Sequence, residues 1–169
     1  MMKNGKGIFS ALDLAKYLNF LHLEKYNCYI SPLKLQKTLF FLFGEWGAFI
    51  SQSASSHKDG DWDNLKSYNK YLFKEDIEAW LYGPVVRIVY NKFNNEVIGE
   101  DKIFITDEEK YARDFINDLA QELFSLSDFR LVELSHKMNC WKDNFDMREN
   151  SHEKIIDKDS IINEFLLQV

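Results

Sequence analysis

The sequence predicts a mainly α-helical fold: a compact single domain of about six to seven helices, with at most a short extended pair. Three observations carry this. Only 7 Gly and 2 Pro occur in 169 residues, so the punctuation that strands and tight loops need is scarce. Apolar residues recur at i, i+3, i+4 and i+7 through most of the chain. Several of these periodic stretches open on a serine or threonine suited to cap a helix.

The first helix starts at Ser10. Phe9 and Leu14 are placed for a hydrophobic staple, and Ala11, Leu14, Ala15, Leu18 and Leu21 form one face. Ser31-Pro32 opens a second: serine caps, proline lacks only an N–H that is unpaired there anyway, and Ile30 can staple to Leu35. The stripe Leu35, Leu39, Leu42, Phe43 and Trp46, joined by Phe40 and Phe41, marks this helix as central and buried. Residues 51–70 turn polar, with only Trp62 and Leu65 clearly apolar, and read as an exposed excursion with a short ordered piece at 61–68.

Residues 75–82 predict a short helix that ends at Gly83-Pro84. Val85 to Tyr90 is β-branched enough for a strand. Yet Gly83 can cap a helix with Pro84 at its first position, and Val86, Val89, Tyr90 and Phe93 recur at helical spacing, so helix is preferred. Lys102 to Ile105 reads as a short extended segment. Thr106 with Glu109 is a capping box, opening a helix with Ala112, Phe115, Ile116, Leu119, Ala120 and Leu123 on one face. Ser127 begins another, carrying Leu131, Leu134 and Met138. The last runs from about Asp159 with Ile162, Phe165, Leu166 and Val169 inward. No internal repeat or linker divides the chain, so one domain over 1–169 is expected.

Hydrophobic residues at 46% and charged residues at 28% exclude a wholly disordered chain. The net charge of −6 weighs against non-specific binding to nucleic acid or an acidic membrane, which needs a basic surface. Cys28 and Cys140 form no C-x-x-C pair and no disulfide framework, which suits reduced thiols in the cytoplasm. Asp13 and Lys16 interrupt the place where a signal core would sit, and the apolar run Leu39 to Ile50 is well short of the ~20 residues that cross a bilayer. A soluble cytoplasmic protein is expected.

The residues offer little catalytic chemistry. A Gly-rich phosphate loop, a G-x-S-x-G elbow and an H-E-x-x-H pair are all missing. His136 and Cys140, four apart, could share a metal only with two further ligands, and His22, Cys28 and His152 are the nitrogen or sulfur candidates. The alternative is a hydrogen-bonded histidine beside a small core cysteine. A cysteine hydrolase needs a thiolate with a neighbouring base, and neither cysteine has one in view. Glu75-Asp76 and Glu108-Glu109 lie near expected helix N-termini, where the macrodipole favours negative charge. No catalytic residue, cofactor or metal ligand is therefore expected, and the chain reads as a non-enzyme.

Two stretches instead mix aromatics with polar residues: 30–37, with Lys34, Gln36 and Lys37, and 77–86, with Glu78, Trp80, Tyr82, Gly83 and Pro84. On a helix Lys34 and Lys37 are neighbours, and Glu78 could meet one of them. That arrangement is either a surface ion pair beside a packed Trp, typically ~0–1 kcal/mol, or an interaction face, since Trp and Tyr dominate interface hot spots. A nucleic-acid role would place a recognition helix near 85–93, but its only cations are Arg87 and Lys92, thin for phosphate neutralisation.

In this order the two stretches resemble the Panacea-domain antitoxin family, which includes SocA-like antitoxins and phage-associated GepA-type proteins. Leu33-Lys34-Leu35-Gln36-Lys37 is close to the family's typical form. Glu78-Ala79-Trp80, Tyr82-Gly83-Pro84-Val85-Val86, Tyr90 and Phe93 continue the likeness, and Leu134-Ser135-His136 with Trp141-Lys142 resembles its C-terminal elements. The likeness spans about residues 11–145. It departs at Arg87 and Cys140, where the family commonly has proline, at 51–70, which is longer, and at Leu126-Ser127, where a Tyr-Gly turn is absent. The resemblance implies an antitoxin that neutralises a cognate protein toxin, usually encoded beside it, by direct binding. It also implies alternatives: an adaptor that delivers the toxin to a protease, or a DNA-binding autoregulator. The motif residues Lys34, Gln36, Lys37, Glu78, Trp80, Tyr82, Gly83, Pro84, His136 and Trp141 are the candidates for partner contact.

Overall fold

The computed structural model describes residues 7–55, 65, 67–145 and 154–168. Most of the expected ordered piece at 61–68, together with His57, Trp62, His152 and Val169, lies outside the described residues. The fold is mainly helical, with eight helices among the described residues and one small antiparallel sheet. The helices are α1 (Ala11–Tyr26), α2 (Pro32–Ser55), α3 (Arg87–Lys92), α4 (Glu100–Ile103), α5 (Asp107–Phe124), α6 (Asp128–His136), α7 (Asn139–Lys142) and α8 (Lys158–Leu167). The strands are β1 (Ile77–Trp80), β2 (Gly83–Val85) and β3 (Lys154–Ile156), in the order β2-β1-β3. Three strands exceed the extended pair expected, and two of the helices are single four-residue turns.

The serine and threonine start signals hold. Ser10 accepts from the Asp13 N–H, Ser31 from Lys34 and Ser127 from Arg130, and Thr106 and Glu109 close their capping box in both directions. Asp157, not Asp159, caps the last helix. Glu75 belongs to no helix of its own; its carboxylate accepts the Ala11 N–H at 2.6 Å, so it serves the first turn of α1 from a distance.

Helix α2, at 24 residues about 36 Å long, is the axis of the molecule. Leu35, Leu39, Phe40, Leu42, Phe43 and Trp46 are all buried, and α5, α6, α8 and β2 pack around them. The helix runs on to Ser55, so the polar excursion starts later than its composition indicates. Part of that stretch is not an excursion: Leu65 is buried, and the Asn69 carbonyl accepts the Trp46 indole N–H at 2.9 Å. Gly44 lets α2 and α8 meet closely, since a Cβ there would enter the Phe165 ring.

The largest correction concerns 75–93. The expected helix over 75–82 is β1, and Gly83-Pro84 does not open a helix but forms β2. Glu78 pairs with Val85, Ala79 with Pro84 and Trp80 with Gly83, closing a hairpin over the two-residue turn Leu81-Tyr82. Gly83 has φ +106°, which β-carbon-bearing residues rarely adopt. Pro84, lacking an N–H, is tolerated because β2 is an edge strand. Helix α3 then begins at Arg87. Four residues are too few to display a period, and the ladder that stabilises β1 comes from β3, whose Ile155 lies opposite Glu78. A smaller correction is that Glu100–Ile103 forms a helical turn where 102–105 reads as extended.

Candidate functional site

The β1–β2 hairpin is held by side chains from three helices, and most of them are the residues singled out in the sequence. Gln36 of α2 clamps Val86 through both backbone groups: its Oε1 accepts the Val86 N–H at 2.8 Å, and its Nε2 donates to the Val86 carbonyl at 3.2 Å. Lys37, one residue on, donates from Nζ to the Pro84 carbonyl at 2.9 Å. The Trp141 indole N–H of α7 donates to the Trp80 carbonyl at 2.8 Å, and His136 Nε2 of α6 lies 3.1 Å from the Leu81 carbonyl. That contact selects the tautomer protonated at Nε2. The carbonyls of residues 80, 81, 84 and 86 are thus each taken by a side chain from outside the hairpin.

The anchors brace one another. The His136 ring stacks on Trp141 at 4.1 Å, and Trp141 stacks on Phe145 at 4.9 Å. Burial, joined by the nearby Lys37 charge, moves the His136 pKa below its ordinary value, with the Leu81 carbonyl opposing. At Gly83 a Cβ would collide with Ser135 Oγ and lie 2.8 Å from Lys37 Cε, so the close fit and the positive φ both require glycine.

On the hairpin's other side, Glu78 meets Arg87 rather than a lysine. Arg87 Nε and Nη2 donate to the two carboxylate oxygens at 3.0 and 2.8 Å, a bidentate pair that ties β1 to α3. The guanidinium also lies 5.3 Å over the Trp80 ring, which meets Tyr90 edge-on at 4.8 Å. Arg87 occurs at a departure from the family pattern, and its spacing from Glu78 becomes meaningful only once the chain reverses at 81–82.

Lys34 does not join this group. It donates to the Phe124 carbonyl at 2.8 Å and lies near Asp128, bracing α2 against the start of α6. Lys37 is not on an exposed face either: it is 0% exposed, and burial pushes its ammonium from 10.5 down to about 7. The expected Lys34/Lys37 face therefore does not exist. A hundred-degree step per residue is right, but the packing of β2 and α6 on α2 covers one lysine and leaves the other partly accessible.

Between the start of α2, the hairpin and α3 lies an apolar groove of about 570 Å³. Leu33, Gln36, Trp80, Tyr82, Tyr90 and Phe93 line it, and Lys37 is the one charged residue among those that do. Tyr82 is 61% exposed and Tyr90 64% exposed. Leu33 and Tyr90 were legible as apolar helix positions, but nothing local signals that they face one groove.

Among the described residues no three His, Cys, Asp or Glu side chains converge as metal ligands. His136 is engaged with Leu81 and Trp141, and the buried Cys140 thiol is pushed up to about 12 by burial and then by Glu164, the opposite of an activated thiolate. His22 Nδ1 lies 2.8 Å from the carbonyl of the exposed Cys28. No helix among the described residues is long and apolar enough to cross a membrane.

Comparison with known proteins supplies one match. The sequence model of the family described as "Antitoxin SocA-like, Panacea domain" covers residues 60–142, which takes in the hairpin, the Glu78–Arg87 pair, His136 and Trp141. The Leu33–Lys37 segment precedes the matched range and meets it through Gln36 and Lys37. No curated protein and no solved structure matches the chain. The motif segments 78–86 and 134–142 on which the resemblance rests lie inside the matched range, so residues 60–142 of this chain are similar to the SocA-like Panacea domain of antitoxins.

Proposed function

We propose that the protein is a non-catalytic antitoxin that neutralises a cognate protein toxin by direct binding, and that the toxin docks on the hairpin and its groove. One observation carries the reading: Tyr82 and Tyr90 stand exposed beside an apolar groove whose hairpin wall is fixed by four side chains from other elements. Exposed aromatics on a rigid support are the usual anchors of a protein interface, because little conformational freedom is left to lose on binding. A specific complex needs on the order of 1,200–2,000 Å² of buried surface, and this face could form its centre. The −6 net charge adds steering toward a basic partner. Arg87, tied to Glu78, and Lys92 make α3 a poor phosphate-binding element, so DNA autoregulation is not favoured.

The test is co-expression with the product of the adjacent gene. The Tyr82→Ala/Tyr90→Ala variant should remain folded and lose both co-purification and protection of growth. Full protection by that folded variant would reject the face as the toxin site.

A further inference from the structure

Lys37 is fully buried and, among the described residues, has no carboxylate partner. Its one hydrogen bond goes to the Pro84 carbonyl, although an ammonium carries three donors. The groups packed nearby are Gly83 and Pro84 of the hairpin and Ser135 and His136 of α6, none of them an acid. Buried charges are ordinarily paired, because an unpaired one forfeits its hydration without recompense. For packing alone, a methionine would fill this place at lower cost. A second donor in the same wall, the Trp80 indole N–H, is also buried and without a partner among the described residues.

These two unmet donors border a groove that no acidic residue lines, in a chain whose net charge is −6. We propose that the groove receives a segment of the toxin that presents a carboxylate, flanked by apolar side chains, to Lys37. The proposal rests on the antitoxin reading and names the chemistry of the segment recognised. The apolar flanks meet Leu33, Tyr82 and Tyr90. The ammonium is covered in the free protein, so binding requires its four-carbon stem to change rotamer and exchange the Pro84 carbonyl for the carboxylate. Its desolvation is already met by the fold, so the incoming carboxylate gains the ion pair without that further cost.

The experiment measures binding of the adjacent-gene product to the wild-type chain, Lys37→Met and Tyr82→Ala/Tyr90→Ala by calorimetry, with circular dichroism to check folding. Lys37→Met should weaken binding roughly 30-fold or more. Wild-type affinity should fall as pH rises from 7 to 9, as free Lys37 loses its proton, while that of Lys37→Met stays flat. His136 is the other titratable group coupled to Lys37, and it titrates below this window. If Lys37→Met binds as tightly as wild type while the tyrosine variant does not, the carboxylate proposal fails and the docking face stands. If both variants bind normally, the face fails as well.

A second probe needs no toxin. Titrated into the ¹⁵N-labelled protein, 4-phenylbutyrate should shift the amides of Gln36, Lys37 and residues 82–86, and 4-phenylbutanamide should not. Equal shifts from the two compounds, or shifts that persist in Lys37→Met, would overturn the proposal.

Discussion

Lys37→Met is a substitution whose effect on stability changes with pH, and the size of the change follows from the burial of one ammonium. Lys37 is 0% exposed and its pKa falls from 10.5 to about 7 on folding, because burial penalises the charged form. Between those two values the unfolded chain holds more protons than the folded one, so stability rises with pH there. The slope approaches ~1.4 kcal/mol per pH unit, and about 3 kcal/mol accumulates between pH 7 and pH 9.5. Methionine carries no such cost but leaves the Pro84 carbonyl without its donor, a loss of ~1–3 kcal/mol. Lys37→Met should therefore be more stable than wild type by ~1–3 kcal/mol at pH 7, and comparable or less stable at pH 9.5. Urea denaturation at half-unit intervals checks this. Tyr17 and Tyr71 are both pushed up to about 12, chiefly by burial, so they lower stability only as pH climbs past the ordinary tyrosine value of 10; taking the difference between the two proteins removes them. A wild-type-minus-variant difference that stays constant across the range would refute the buried, unpaired ammonium.

Three further outcomes follow, two at the hairpin and one at the α5 cap. Gly83→Ala should lower stability by about 2–4 kcal/mol in thermal or urea unfolding, since it combines a φ of +106° with overlap against Ser135 Oγ; an unchanged midpoint would contradict the packing. Glu78→Gln should cost ~1–3 kcal/mol by breaking the bidentate pair with Arg87, and a double-mutant cycle with Arg87→Met should return at least ~1 kcal/mol of coupling, against zero if the two do not meet. Thr106→Ala removes one half of the α5 capping box and should cost ~1 kcal/mol in urea unfolding, with no effect on binding of the adjacent-gene product.

Ser10, Ser31, Thr106 and Ser127 cap where their side-chain chemistry says they should, and the stripe on α2 is buried as its periodicity requires. Those features are local: a cap needs three residues and a stripe two turns. The hairpin was not legible in the same way. Ile77–Trp80 is only four residues long, and its partners are a turn set by Gly83 and a strand more than seventy residues away. Glu78 shows the consequence. Read on a helix it reaches for a lysine of α2, whereas on a hairpin the pairing with Val85 brings Arg87 to it.

The sequence by itself determined the helical class, most helix starts, the identity of the core stripe and, through the 78–86 and 134–142 patterns, the likeness to the SocA-like Panacea domain. Only the tertiary structure decided what the motif residues do. Gln36, Lys37, His136 and Trp141 sit on three separate helices, and each reaches a hairpin carbonyl, a relation that no spacing along the chain encodes. It likewise parted Lys34 from Lys37, which a helix places side by side. The physical reason is that burial belongs to the assembled surface: β2 and α6 close over one ammonium and strip its water, while the other keeps Asp128 and the Phe124 carbonyl as partners at the edge of the fold.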